Sequence, residues 1–215
     1  MDLPATGGPA DLLDRARDGD RSAIGALLEG QRERLERMLG LRLDGRLGGR
    51  IDAADVIQDA FLEASRRIGD YFRKPSMPFY LWLRFLVLQR LQAVYRENLG
   101  AAKRDLRREV SLDAGAPSGA TSRAIAAGLI GKLSTPSQAA IRSELRLRVR
   151  EAVESLDPLD REVIALRNFE QLENVDAAAV LGLEVSAASK RYIRAIRRLR
   201  DLLSRIPGMT EYPWK

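Results

Sequence analysis

The chain has 215 residues, 45% hydrophobic and 31% charged, which is typical of a globular protein with one large or two small domains. It contains no cysteine and no histidine, which excludes disulfides, thiolate chemistry and Ser-His or Cys-His catalytic arrangements. Its net charge of +6 favours a polyanionic partner, either nucleic acid or an anionic membrane surface.

Nucleic acid is the better candidate, because no apolar run approaches the roughly 20 residues needed to span a bilayer. The opening residues, MDLPATGGPADLL, lack the basic segment and apolar core of a secretory signal. We therefore expect a cytoplasmic protein without a membrane partner. A site built from carboxylates alone remains open, but no phosphate loop or paired-carboxylate motif suggests one, so we expect no enzyme activity, no metal and no cofactor.

Helical spacing of apolar residues dominates the N-terminal half, and strand-like alternation is scarce. We predict four helices here: from Pro9 to the turn at Asp18, from about Ser22 to Leu43, from a cap at Asp52 to a loop at 69–78, and from Phe79 to about Arg96. Trp82, Phe85 and Phe61 are assigned to the core, because large aromatic side chains usually dominate burial. Asn98-Leu99-Gly100 is expected to end the fourth helix.

The composition changes after residue 110, where Ser, Ala, Gly, Thr and Pro become frequent. We interpret 111–142 as a flexible linker that contains a short helix near Ala124–Ile130. A second helical block follows at 143–206, and 207–215 form a tail. The sequence therefore predicts an all-α fold of two small helical domains, 1–110 and 143–206, joined by this linker.

Residues 174–203 carry the spacing of a helix-turn-helix. Ala178 is small where two crossing helices need close approach, and Gly182 can adopt the positive φ that ends a helix. Leu183 and Val185 are expected to fill the gap between the helices, and Ser186 is expected to cap the second one. The C-terminal block is therefore predicted to place that second helix in the DNA major groove.

The second helix has one apolar and one basic face. Six basic residues and no acidic one lie between Ser186 and Arg200. Residues near the start of such a helix can reach base edges, and later arginines can neutralise phosphates. We predict that this helix binds duplex DNA through Ser186, Ala187, Ser189, Lys190, Arg191, Arg194, Arg197 and Arg198. A solvated basic face on an ordinary bundle helix is the alternative, which the preceding turn disfavours.

Two patterns in the N-terminal half suggest further contacts. The helix that begins after Asp52 places acidic and polar residues on one face, which suits a basic partner helix: Asp52, Asp55, Gln58 and Asp59. Basic residues interleaved with aromatic ones suit single-stranded DNA, because rings stack on unpaired bases. For single-stranded DNA we predict Tyr71, Phe72, Arg73, Lys74, Arg84, Arg90 and Arg96.

Taken together, these residues resemble the extracytoplasmic-function (ECF) class of bacterial sigma factors. LLDRARDGDRSAIGALL resembles the first helical pair of that class, DAADVIQDAF its polymerase-binding motif, FYLWLRFLVLQRL its promoter-melting helix, and 159–200 its upstream-element-binding domain. The resemblance implies core RNA polymerase and promoter DNA as partners, with an anti-sigma factor as a further candidate. It implies that the single-stranded DNA is the melted promoter element and that the duplex is an upstream element. It also assigns the acidic-polar face to core binding and catalysis to the polymerase.

Some positions depart from the class. Ala54 and Asp59 replace a usual acid and a usual Glu in the polymerase-binding motif, and Ala187-Ala188-Ser189 replaces a common Thr-Val-Lys. The promoter sequence therefore does not carry over from other members. Two alternatives stay open: a stand-alone helix-turn-helix regulator that ignores core polymerase, and a helical interaction protein with an incidental basic face.

Overall fold

The computed structural model describes residues 9–43, 51–105, 120–131, 139–207 and 209. Over these residues the chain forms helices and no strand, so the all-α prediction is confirmed. The α-helices are α1 Pro9–Arg17, α2 Arg21–Glu29, α3 Arg32–Arg42, α4 Ala53–Arg73, α5 Phe79–Asp105, α6 Ser122–Gly131, α7 Ala139–Glu154, α8 Pro158–Ile164, α9 Asn174–Leu181 and α10 Val185–Leu203. A π-helical turn, Ala165–Phe169, directly follows α8. No helix in the described ranges is both long enough and apolar enough to cross a membrane.

The chain divides into two compact units. Unit 1 comprises Met1–Glu36 and Arg46–Ala116, and unit 2 comprises Arg37–Gly45 and Pro117–Lys215. The short helix predicted near Ala124–Ile130 is confirmed as α6, which belongs to unit 2. The limits predicted for the domains, linker and tail stay predictions, and residues 106–119, 132–138, 208 and 210–215 lie outside the described ranges.

The single helix predicted from Ser22 to Leu43 is wrong, because α2 and α3 are separate helices. Gly30 ends α2, and its N–H bonds the Ala26 carbonyl at 2.9 Å. The start of α2 is fixed by Asp20, whose carboxylate accepts hydrogen bonds from the backbone amides of Ser22 and Ala23. A hydrogen bond from Arg15 and these amide contacts lower the pKa of the Asp20 carboxyl.

Helix α4 begins as predicted, with the Asp52 carboxylate accepting from the Ala54 amide at 2.8 Å. It runs on to Arg73, so the loop predicted to begin at Gly69 is shorter than expected. Ile68 is buried and Tyr71 and Phe72 are partly buried, and this packing outweighs the roughly 1 kcal/mol penalty of a helical glycine. The predicted end of α5 at residues 98–100 is also wrong, since α5 extends to Asp105.

One face of α5 is buried between Tyr80 and Tyr95, at Tyr80, Arg84, Val87, Leu91 and Tyr95. Steps of three and four residues keep these positions on one side of a helix. Phe85 lies off this stripe and is 48% exposed, so its assignment to the core is wrong. Phe61 is buried as predicted, and Trp82 is partly buried.

Unit 2 has a core built from α6, α7, α8 and α10, with buried members such as Ile125, Val149, Val163 and Leu199. Helix α6 approaches the π-helical turn closely at Gly128. A methyl group at Gly128 would clash with Cε1 of Phe169, so only glycine fits without displacing that ring. The glycine therefore permits α6 to pack into the core of unit 2.

Candidate nucleic-acid interface

The predicted helix-turn-helix is present in unit 2 as α9, a short turn and α10. Gly182 follows α9 with φ 64° and ψ 33°, the left-handed conformation predicted for it. The Leu183 amide then donates to the Ala178 carbonyl at 3.0 Å. Ala177, Ala178 and Ala188 are almost fully buried, since small side chains let the two helices pack closely. The sequence therefore locates this motif correctly.

The start of α10 differs from the prediction. Helix α10 begins at Val185 with Glu184 in the cap position, so Ser186 is not its cap, and no side chain caps the helix. Asn174 supplies a different anchor, because its Nδ2 atom donates to the Val185 carbonyl at 2.8 Å. Leu183 is partly buried, whereas Val185 is 44% exposed and does not fill the gap between the helices.

The two faces of α10 separate as the sequence predicts. Ala188, Ala195, Leu199 and Leu203 are buried, with Tyr192 and Ile196 partly buried beside them. Ser189 is partly buried, and the other predicted contact residues except Arg191 are exposed: Ser186, Ala187, Lys190, Arg194, Arg197 and Arg198. Within the described ranges the four cations in this list, Lys190, Arg194, Arg197 and Arg198, form no ion pair. Their charge is therefore available to a phosphate backbone.

Arg191 differs from these cations because it already has carboxylate partners. Its Nη1 atom lies 2.6 Å from Oδ1 of Asp160 and 3.4 Å from Oδ1 of Asp157. Its side chain is 29% exposed and that of Asp160 is 15% exposed. No sequence pattern predicts the Arg191–Asp160 pair, because the two residues lie 31 positions apart and on different helices.

In unit 1, a groove between α4 and α5 contains all four residues predicted to bind core polymerase. The groove has a volume of about 360 Å³ and is lined by Ile51, Asp52, Asp55, Val56, Gln58, Asp59, Arg90, Val94 and Glu97. Four of these side chains are carboxylates and one is cationic. A groove of this charge suits a basic side chain from a partner.

Arg90 is the cationic side chain in this groove. Its Nε atom lies 2.9 Å from Oδ2 of Asp59, and its Nη1 atom lies 3.4 Å from Oε1 of Glu97. The sequence pattern predicts Arg90 among the melted-element residues and does not single out Glu97. Spacing on α5 alone could not reveal that Arg90 faces α4.

The predicted melted-element residues fall into several environments. Tyr71 stacks on Trp82 with ring centroids 4.9 Å apart, and its hydroxyl donates to the Met77 carbonyl at 3.1 Å. Burial raises the pKa of the Tyr71 hydroxyl. Phe72 packs partly buried against the cluster formed by α1 and α2. Tyr71 and Trp82 therefore support the loop between α4 and α5 through their packing and through the hydrogen bond to Met77.

The basic residues of this set are spread along unit 1. Arg73 and Lys74 are exposed at the end of α4, where Arg73 pairs with Asp70. Arg96 is exposed further along α5. Arg84 is only 6% exposed, since it lies on the buried stripe of α5, and its side chain is not available to a strand at the surface. The structure thus brings Tyr71–Lys74 together and leaves Arg84, Arg90 and Arg96 apart.

Comparisons with known proteins agree with these features. Residues 146–199, which include the helix-turn-helix, match the family model described as Sigma-70, region 4. The RNA polymerase sigma factor CnrH of Cupriavidus metallidurans is 34% identical over 164 residues, covering 71% of this chain and 73% of CnrH. The chain belongs to the extracytoplasmic-function (ECF) class of RNA polymerase sigma factors.

Other relatives support this membership. The ECF RNA polymerase sigma-E factor of Escherichia coli strain K12 is 28% identical over 188 residues, covering 86% of this chain and 88% of that protein. The solved structure of CnrH in complex with the cytosolic domain of CnrY is 26% identical, covers 91% of this chain and 96% of that one, and has a TM-score of 0.52. The resemblance predicted from sequence is confirmed, and the chain is a sigma factor of transcription initiation.

Proposed function

We propose that the two units of this ECF sigma factor divide the work of initiation as follows. Helix α10 binds an upstream duplex element, the groove between α4 and α5 binds core RNA polymerase, and Tyr71–Lys74 with the adjoining loop contact the melted element. The exposed cations of α10 carry the proposal most strongly, because they follow a well-formed turn and have no acidic partner within the described ranges.

Within the duplex contact, base reading and phosphate binding fall to different parts of α10. Ser186, Ala187, Ser189 and Lys190 lie in its first turns, the part of a recognition helix that reaches base edges. Arg194, Arg197 and Arg198 lie further along and supply phosphate contacts, which add affinity without sequence information. The Ala187 methyl group suits an apolar contact, such as the methyl group of a thymine.

The groove between α4 and α5 accounts for core binding. Asp52, Asp55 and Gln58 lie on its α4 side without the direct Arg90 contact that Asp59 makes. A basic side chain from a helix of the polymerase would gain charge-assisted hydrogen bonds there. No bond-making chemistry is assigned to this chain, which acts in the cytoplasm by positioning polymerase on DNA.

We further propose that a protein partner restrains this sigma factor, as an anti-sigma factor does. CnrH has been solved in complex with the cytosolic domain of CnrY, and this similarity supports a protein partner for this chain.

A core-binding assay distinguishes the proposed function from a stand-alone regulator. The full chain, fluorescently labelled, is titrated with core RNA polymerase of the same organism in the absence of DNA. We expect a saturable stable complex. Duplex DNA binding without any complex with core polymerase would reject the sigma-factor mechanism and favour the regulator.

A further inference from the structure

Arg191 lies between the exposed cations Lys190 and Arg194 in the sequence of α10. Unlike them, it forms ion pairs with carboxylates. Its guanidinium Nη1 lies 2.6 Å from Asp160 and 3.4 Å from Asp157. Lys190 and Arg194, its basic neighbours on the same helix, are exposed and form no ion pair within the described ranges. A guanidinium already bonded to carboxylates would have to exchange them for phosphate, so it gains little from binding DNA.

The carboxylates that hold Arg191 are themselves well fixed. Asp157 caps α8, accepting from the Leu159 amide at 2.9 Å, and Pro158 occupies the first turn. Asp160 lies in the same first turn, where a negative charge interacts favourably with the helix dipole. Arg191 therefore attaches α10 to the rigid beginning of another helix.

Apolar packing and a second polar contact, a hydrogen bond from Asn174, also hold α10 in place. Val163 of α8 and Leu199 of α10 are fully buried members of the same core cluster. At the start of α10, Asn174 holds the Val185 carbonyl in the absence of a side-chain cap. Arg191 and Asn174 thus fix the first two turns of α10 at both ends, and these turns carry Ser186–Lys190.

We propose that Arg191 is a positioning residue for DNA recognition, which acts through Asp160 and not through contact with DNA. The pair sets the rotation of α10 about its axis, and so determines which side chains face the base edges. This inference rests on the proposed function of α10 as the duplex-binding helix.

The test uses the full chain with four substitutions: Arg191→Ala, Arg191→Lys, Asp160→Asn and, as a control, Asp201→Asn. Asp201 is exposed near the end of α10, and its substitution changes the net charge by the same amount as Asp160→Asn. The probe is a labelled duplex selected from a random library by the unsubstituted chain. Its Kd is measured across a range of salt concentrations, and thermal unfolding shows that each variant is folded.

A positioning role predicts that Arg191→Ala and Asp160→Asn both weaken binding, by about tenfold each. The slope of log Kd against log salt should stay that of the unsubstituted chain, because no phosphate contact is lost. Arg191→Lys should recover part of the affinity, and Asp201→Asn should leave it the same or slightly tighter. Combining Arg191→Ala with Asp160→Asn should add little, since the two residues act as one pair.

Direct contact between Arg191 and DNA predicts a different result. In that case Asp160→Asn should strengthen DNA binding instead of weakening it. If Arg191 binds phosphate, Arg191→Ala lowers the salt slope by about one, and Asp160→Asn frees the arginine and tightens binding beyond Asp201→Asn. That outcome overturns the inference while leaving α10 as the DNA-binding helix. The proposed function fails instead if the unsubstituted chain shows no salt-dependent binding to any selected duplex.

Discussion

The Arg42 and Glu170 side chains form an ion pair that is completely shielded from solvent. The Nη2 atom of Arg42 lies 2.6 Å from Oε1 of Glu170, and neither side chain has exposed surface. The same nitrogen lies 2.6 Å from Oε1 of Glu162, whose other carboxylate oxygen accepts from the Ala120 amide at 2.8 Å. All these residues belong to unit 2, so the pair joins the segment Arg37–Gly45 to the rest of that unit.

Removing one member of this cluster should destabilise unit 2. Glu170→Ala leaves a buried guanidinium with one partner fewer, and we expect a loss of about 3 kcal/mol in the free energy of unfolding of unit 2. Hydrogen exchange at the amides of α8 and α10 reports this loss. Glu173→Ala is the control, because Glu173 is exposed and caps α9 without a side-chain hydrogen bond. Equal protection in both variants would show that the buried pair does not stabilise the unit.

The contact between α6 and the π-helical turn depends on a glycine. Gly128→Ala places a methyl group against the Phe169 ring, and we expect it to destabilise the α6 packing by about 1–3 kcal/mol. Gly131→Ala is the matched control in the same helix, since nothing lies within 4 Å of its added methyl group. It should be neutral or slightly stabilising. Hydrogen exchange at the amides of α6 distinguishes Gly128→Ala from Gly131→Ala. Equal exchange rates in the two variants would contradict the close packing of Gly128 against Phe169.

The exposed cations of α10 should account for much of the affinity for duplex DNA. Replacing both Lys190 and Arg194 with alanine removes a base contact and a phosphate contact, so binding should weaken and the salt slope of log Kd should fall by about one. The measurement is a salt titration with a labelled duplex. Arg148→Ala is the control, because Arg148 is an exposed residue of α7 that pairs with Glu144. If the double variant keeps the slope of the unsubstituted chain, α10 does not bind DNA through this face.

The groove between α4 and α5 should control affinity for core polymerase. Asp55→Ala combined with Gln58→Ala should weaken core binding by at least about tenfold, while affinity for duplex DNA stays the same. Glu63→Gln is the control on the same helix, where Glu63 pairs with Arg66 and Arg67. Unchanged core affinity in the double variant would show that the groove has been misassigned.

Arg90 offers a separate check on that groove. Arg90→Ala frees Asp59 and makes the groove more acidic, so core binding should tighten. A contact with melted DNA predicts instead that Arg90→Ala impairs promoter opening and leaves core affinity unchanged. Titration of core polymerase and a permanganate assay of strand opening, done on the same variant, separate the two roles.

Much of the site could be predicted because its signals are local. Gly182 can adopt the left-handed conformation that ends α9 because it lacks a Cβ atom, and Asp52 caps a helix through an amide two positions away. The apolar and basic faces of α10 follow from helical periodicity alone. These features need no knowledge of tertiary packing, so the sequence was sufficient to identify them.

What could not be predicted depends on contacts between distant segments. Whether Arg191 is free depends on Asp160, and whether Arg84 is exposed depends on which face of α5 meets the core. The Arg42–Glu170 pair joins residues 128 positions apart, which no periodic pattern encodes. Gly69 was expected to end α4, but tertiary packing of the neighbouring residues keeps it helical.

Transcription in vitro tests the central claim most directly. Core RNA polymerase of the same organism, with and without the full chain, is given a template whose start site has been mapped after overexpression of this sigma factor. We predict a transcript of defined length that appears only when the chain is present. A transcript pattern that is identical with and without the chain, on every mapped template, would contradict its action as a sigma factor.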